Sequence, residues 1–267
     1  MLDVEFEWFD PSPEVDFHGL KNLLRQLLDA DNDLFDLSAL TDMILAQPLL
    51  GSTVKCSEED DKPTKEGDPY AFLTVLNLHQ HRDKPVIQEM TKYLSQKSQS
   101  ISSLSQLPSL LDTSSDAQVG LLLTERFINM PTEVIPPMYN MLIEELQWAL
   151  EAKEPYNFSH YLILSKTYTE VASKLDQEEQ RPQKKKKAQD TAADTFYFHP
   201  EDEAIHKHAI GFGSYDYTKQ SADGASDSKR AFQELGIKPQ GHLMLLEAGR
   251  FGDAIKGLGE YLGATQT

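Results

Sequence analysis

Residues 119–139 constrain this chain more tightly than any other stretch. Residues 119–124 (VGLLLT) form a continuous apolar run suited to a central strand buried on both faces. The next fifteen residues, ERFINMPTEVIPPMY, bring Pro131 and then the adjacent pair Pro136 and Pro137. Proline fixes φ and has no N–H, so the pair fits the first turn of a helix and little else. Asn129-Met130-Pro131 can continue neither the strand nor the helix. The run suggests no nucleophile, general base or metal ligand. So constrained a segment without catalytic side chains points to a binding or structural role.

The rest of the chain alternates strands with helices. Val4, Phe6 and Trp8 alternate with charged residues, the pattern of a half-buried strand. Asp16 is placed to cap a helix whose Phe17, Leu20, Leu23, Leu24, Leu27 and Leu28 keep the 3.6-residue period. A second helix is expected over residues 37–47, stopping before Pro48. Residues 49–56 and 70–78 can pair as an antiparallel hairpin across a long acidic loop. Residues 86–94 read as a helix, and Ile101, Leu104, Leu107, Leu110 and Leu111 recur at helical spacing as a less stable second one. A helix over 138–150 and a long strand over 158–171 follow.

Residues 173–194 hold almost nothing apolar and read as a disordered basic linker. The body is therefore expected over 1–172, with 195–267 supplying strands and helices that complete the same domain. There Phe196 and Phe198 mark a short strand, residues 201–208 a helix, 242–246 a strand and 251–262 a closing helix. Residues 215–229 read as a loop. Interleaved helices and strands imply an α/β sheet covered by helices.

Composition narrows the function. The net charge is −18 with 43 acidic and 25 basic residues, so nucleic acid is repelled by the chain as a whole. A basic partner is attracted instead, although acidity can also serve solubility alone. No run approaches eighteen apolar residues, so no membrane helix is expected. The N-terminus lacks the basic start and apolar core of a secretory leader. Cys56 is the single cysteine, which excludes an intramolecular disulfide and suggests a reducing compartment.

Catalytic and metal patterns are weak. His79 and His81 could share a strand face, but no third ligand is near in sequence. His206 and His208 point to different faces of a helix, and His160 and His242 read as satisfied core histidines. Cys56 neighbours Lys55 and a run of acids and reads as an ordinary strand cysteine. Gly257, Gly259 and Gly263 sit in or beyond a terminal helix, where a dinucleotide fingerprint has no mechanism. Lys184, Lys185, Lys186 and Lys187 form the basic patch, either a solvated charge run or a nuclear-import signal.

Four blocks carry a family resemblance. Residues 13–27 (PEVDFHGLKNLLRQL), 68–73 (DPYAFL), 125–139 and 196–203 (FYFHPEDE) occur in the order in which similar blocks occur in the BCCIP family, which the chain resembles from residue 13 to about residue 203. The resemblance implies an acetyltransferase-like (GNAT-like) fold, a mixed and largely antiparallel sheet flanked by helices. Enzymes of that fold hold the acyl-carrier pyrophosphate on exposed N–H groups of a glycine-rich turn after a central strand. Here that place is taken by Glu125 to Pro131 without a glycine, so neither a coenzyme A cradle nor any cofactor is expected, and the fold is read as repurposed.

Family members are adaptors of the nucleus and cytoplasm. The resemblance therefore implies a non-enzymatic escort of a basic large-subunit ribosomal protein (the universal L fourteen family) during ribosome biogenesis. It also implies a role in nuclear export with transport receptors and a lipid kinase client. Alternatives are a residual acetyltransferase or a genome-maintenance and cell-cycle adaptor. Arg126, Asn129, Met130, Glu144 and Glu145 are the candidate client-contacting residues. Family members usually carry a longer acidic N-terminal tail, and the first strand here follows Met1 almost directly.

Overall fold

The computed structural model describes residues 5–47, 50–57, 67–170, 195–219 and 236–264. Eight strands form one sheet: β1 (Glu5–Phe9), β2 (Ser52–Ser57), β3 (Ala71–Asn77), β4 (Val119–Arg126), β5 (His160–Glu170), β6 (Thr195–Tyr197), β7 (Gly211–Tyr215) and β8 (Ile237–Glu247). Their order is β1-β2-β3-β4-β5-β8-β7, with β6 beside β5. Every pair is antiparallel except β4 with β5, which run parallel from Val119↔His160 to Leu123↔Leu164. The sheet is thus mixed and largely antiparallel, as expected.

Alternation along the strands divides the core in two. Leu121, Leu123, Leu162, Leu164, Leu243 and Leu245 face α1 (Phe17–Leu28), α2 (Leu37–Leu45), α3 (Pro85–Ser98) and the single-turn α4 (Leu107–Leu110). Leu122, Ile163, Met244 and Leu246 face α5 (Ile135–Glu151), α6 (Asp202–His206) and α7 (Ala248–Ala264). Strands β3 and β4 are buried along their whole length because helices cover both faces. The proline pair does begin a helix, α5, at its first turn. Among the described residues no helix is long and apolar enough to cross a membrane.

Three elements depart from the sequence reading. Residues 101–111 do not form one helix; they break into a 3-10 turn at Ser102–Leu104 and α4. Pro108 lies in the first turn of α4, where it can start a helix but not continue the one before. Strand β7 is not foreseen in the sequence; it ends at Tyr215, where the expected loop begins. Asp16 makes no capping bond to α1; its buried carboxylate accepts from Ser12 N at 2.8 Å and pairs with Lys55 Nζ at 2.6 Å. The basic linker 173–194 lies outside the described residues.

A second buried acid ties distant segments together. Asp31, fully buried after α1, accepts hydrogen bonds from Tyr93 Oη at 2.9 Å, Thr218 N at 2.8 Å and Lys219 N at 2.9 Å. Removing the carboxylate takes this acceptor from the buried Tyr93 hydroxyl, at about 1–3 kcal/mol before relaxation, and releases the backbone N–H groups of exposed Thr218 and Lys219. Asp31→Ala is expected to lose about 2–4 kcal/mol in urea denaturation and to speed amide exchange at Thr218 and Lys219. Unchanged exchange there would mean the tether is not what holds this segment.

Candidate functional site

Beyond Leu123↔Leu164 the parallel strands separate: β4 continues to Arg126 paired only with β3, while β5 runs on to Glu170. β6 takes the edge of β5 that β4 has left, pairing Thr167↔Tyr197 to Thr169↔Thr195. The turn from β6 to α6, carrying His199, Glu201 and Asp202, then fills the gap from within the chain. All three are buried.

The filling is ionic. Glu125 lies between two cations, with Lys166 Nζ 2.5 Å from its Oε2 and His199 Nε2 3.0 Å from its Oε1. Alternation puts Glu125 and Lys166 on the α1 side, where Lys166 Nζ also donates to Gln26 O at 3.2 Å. Arg126 points to the α5 side and grips Glu201 with both guanidinium nitrogens, Nη2 to Oε2 at 3.0 Å. Ser165 Oγ donates to Asp202 Oδ2 at 2.6 Å. His199 Nδ1 is buried without a hydrogen-bond partner.

Burial and neighbours set the charge states. Burial works against ionised Glu125, yet His199 and Lys166 outweigh it and hold its pKa at about 2. Burial likewise disfavours the His199 imidazolium, and the charges of Glu125 and Glu201 reverse the balance and raise its pKa. Asp202 is pushed up to about 7, first by burial and then by Glu201, despite His199, Ser165 and Arg126. The network is therefore a set of matched pairs with one carboxyl poised near neutrality.

These pairs leave little chemistry for a bound group. Arg126 N donates to its neighbour Glu125 Oε1 at 2.9 Å, Phe127 N to Tyr70 O at 3.0 Å and Met130 N to Phe127 O at 3.0 Å. Across the gap Phe198 N donates to Lys166 O and Asp202 N to His199 O. Pro131 and Pro200 have no N–H at all. Three of the donors that an acyl-carrier pyrophosphate could use at this turn, those of Arg126, Phe127 and Met130, are engaged within the chain.

The candidate client contacts separate into two groups. Arg126 and Met130 are buried, the first in its ion pair and the second in the core beneath α5. Glu145 is also buried; its Oε2 accepts from Gly51 N at 2.8 Å, and burial raises its pKa. Gly51 has φ +107°, and a Cβ there would meet Leu73 O at 2.8 Å, so this turn requires glycine. These three side chains are engaged inside the fold. Asn129 and Glu144 are exposed. Lys184, Lys185, Lys186 and Lys187 lie outside the described residues.

The sequence marks Lys166 not at all, reads His199 as a helix cap or a packing partner of Phe198, and carries Glu201 and Asp202 only within the block 196–203. Their signal was a lysine inside an apolar strand and acids directly after His-Pro, neither specific alone. His242 is a buried strand histidine as expected, but His206 meets it, Nε2 to Nε2 at 2.8 Å. His242 Nδ1 lies 3.0 Å from Ser214 Oγ, which is 2.8 Å from Thr167 Oγ1. Among the described residues no three histidine, cysteine or acidic side chains converge as a metal site.

Known proteins share this framework. The BCCIP family profile matches residues 1–205. Protein bcp1 of Aspergillus fumigatus is 61% identical over 262 residues, spanning 98% of this chain and 88% of that protein. Protein bcp1 of Schizosaccharomyces pombe is 51% identical over 248 residues, spanning 92% and 85%. The crystal structure of BCP1 from Saccharomyces cerevisiae matches with a TM-score of 0.62 at 25% identity, covering 97% of this chain and 89% of that one.

Proposed function

Because this chain belongs to the BCCIP family, we propose that it is a non-enzymatic escort for a basic large-subunit ribosomal protein of the universal L fourteen family. The reading extends to export from the nucleus together with transport receptors, a lipid kinase being a further client. The protein then shuttles between nucleus and cytoplasm, with Lys184 to Lys187 as its import signal.

The observation that carries the reading is the plugged gap between β4 and β5. One parallel pair within an otherwise antiparallel sheet supports a GNAT-like ancestry, in which that gap would be the donor cleft. Here the cleft is occupied by the chain's own His199, Glu201 and Asp202, and the N–H groups of Arg126, Phe127 and Met130 are engaged. A fold whose cofactor site is closed from inside remains useful as a surface. That surface belongs to a protein of net charge −18, which attracts a basic client and shields it from premature contact with nucleic acid.

Purified protein is expected to bind the ribosomal protein, with affinity falling about tenfold or more from low to physiological salt. Salt-insensitive binding or none at all would remove the electrostatic basis of the proposal. Calorimetric binding of acetyl-coenzyme A would restore the enzyme reading.

A further inference from the structure

At the end of the sheet where β4 and β5 part, aromatic side chains meet solvent on both sides of the gap. On one side Tyr70 lies edge-on to Phe6 and to Phe127, with ring centroids 6.4 and 5.7 Å apart. Ile128 beside them is 88% exposed. On the other side Tyr168 stacks on Phe196 at 5.2 Å and meets Phe198 edge-on at the same distance. Tyr70, Phe127 and Phe196 are each at least 36% exposed. Apolar side chains clustered in water mark a contact surface more often than scattered ones do.

This rim is held still. Glu125–Lys166 and Arg126–Glu201 bridge the gap beneath it, and Phe127 N is bonded to Tyr70 O. A platform fixed in advance loses less entropy when it binds.

Its charge is one-sided. The cations on the strands that form it, Lys55, Arg126 and Lys166, are buried and neutralised by Asp16, Glu201 and Glu125, and Lys238 on the adjoining β8 is paired with Asp216. Glu7, Asp68 and Glu170 are at least partly exposed and enter no ion pair among the described residues. Ring faces beside free carboxylates suit a guanidinium, which stacks and pairs at once; an ammonium is a hydrated point charge and stacks less well.

We propose that this aromatic rim, flanked by Glu7, Asp68 and Glu170, is a docking surface for an arginine-rich segment of a partner protein. The proposal rests on the basic-client reading and adds the face and the side chain that is read. It is tested with an arginine-rich peptide and its lysine-for-arginine counterpart of equal length and charge, by fluorescence anisotropy at low salt.

The arginine peptide is expected to bind about tenfold tighter than the lysine peptide. The double substitution Phe127→Ser with Phe196→Ser should abolish that preference, while Trp148→Ser, at the far end of α5, should keep it. Circular dichroism and the unchanged core of the Trp148 variant control for folding. Equal binding of both peptides, or a preference that survives the double substitution, overturns the rim and leaves the escort reading standing. Failure of the intact protein to bind either peptide or the ribosomal protein overturns the escort reading itself. A concentration-dependent dimer in sedimentation, lost in the double variant, would assign the rim to a second copy of the chain and overturn the basic occupant.

Discussion

Glu201→Ala is expected to destabilise the protein by about 3–5 kcal/mol, the largest loss foreseen for any single side chain here. Arg126 and Glu201 are both under a tenth exposed, and removing the carboxylate strands a guanidinium that water cannot reach. The energy lost is mainly the penalty of that orphaned charge rather than the net worth of the pair. The companion double substitution Arg126→Met with Glu201→Leu should therefore recover a good part of the loss, since it removes both charges. Equilibrium denaturation of the three variants decides the matter. A single-variant loss below about 1 kcal/mol would mean that solvent reaches Arg126 and that the gap is not closed.

Stability should fall with acid between about pH 6.5 and 4, and Asp202→Asn should roughly double the slope. The histidine pair drives the fall. Burial, and after it the neighbouring His206, lower His242 to about 3; burial lowers His206 to about 4 against the pull of Glu203. In this window the unfolded chain protonates both rings and the folded chain neither, so stability present above pH 6.5 is lost as pH falls. Asp202 acts in the opposite sense. Its folded value near 7 lies above the ordinary 3.8, so in the same window the folded state keeps a proton that the unfolded state has released.

Unfolding therefore takes up about one proton net, and the expected slope is about 1 kcal/mol per pH unit once solvent screening of partly exposed His206 is allowed for. Asp202→Asn removes the opposing proton. Below pH 4.5 protonation of Glu125 in the unfolded state, against its folded value of about 2, continues the loss. Denaturant midpoints measured from pH 7 to 4 test this. A slope that Asp202→Asn leaves unchanged would show that Asp202 does not hold a proton in the fold.

The parts of the fold legible in the sequence were those governed by local rules. Pro136 and Pro137 placed the start of α5, the apolar run 119–124 placed β4, and the 3.6-residue leucine period placed α1. β7 escaped because Gly211 and Gly213 give it little strand character, and its pairing with β8 comes from tertiary context. β8 reads short in the sequence because Lys238, Pro239 and Gln240 precede its apolar run, although they pair with Thr169, Tyr168 and Thr167 of β5.

The site was half legible. The absence of glycine after β4, and the carboxylate at position 125, already spoke against a phosphate cradle. What Glu125 meets instead, Lys166 and His199, comes from residues 41 and 74 positions away, and no local pattern reports such distances. For the same reason Glu145 read as a surface acid; its partner is a backbone N–H on the far side of the helix–sheet interface.

The order of β4, β5, β6 and β8 along the chain also bears on synthesis. Strand β5 lies in the middle of the sheet, yet its neighbours β6 and β8 are made after it. When residue 170 has left the ribosome, Arg126 and Lys166 are already present, but Glu201 and His199 are not. The nascent molecule must therefore wait with an open central edge and an unmatched arginine until the plug is translated. A protein proposed to shelter other unassembled chains passes through a stage in which it needs shelter itself.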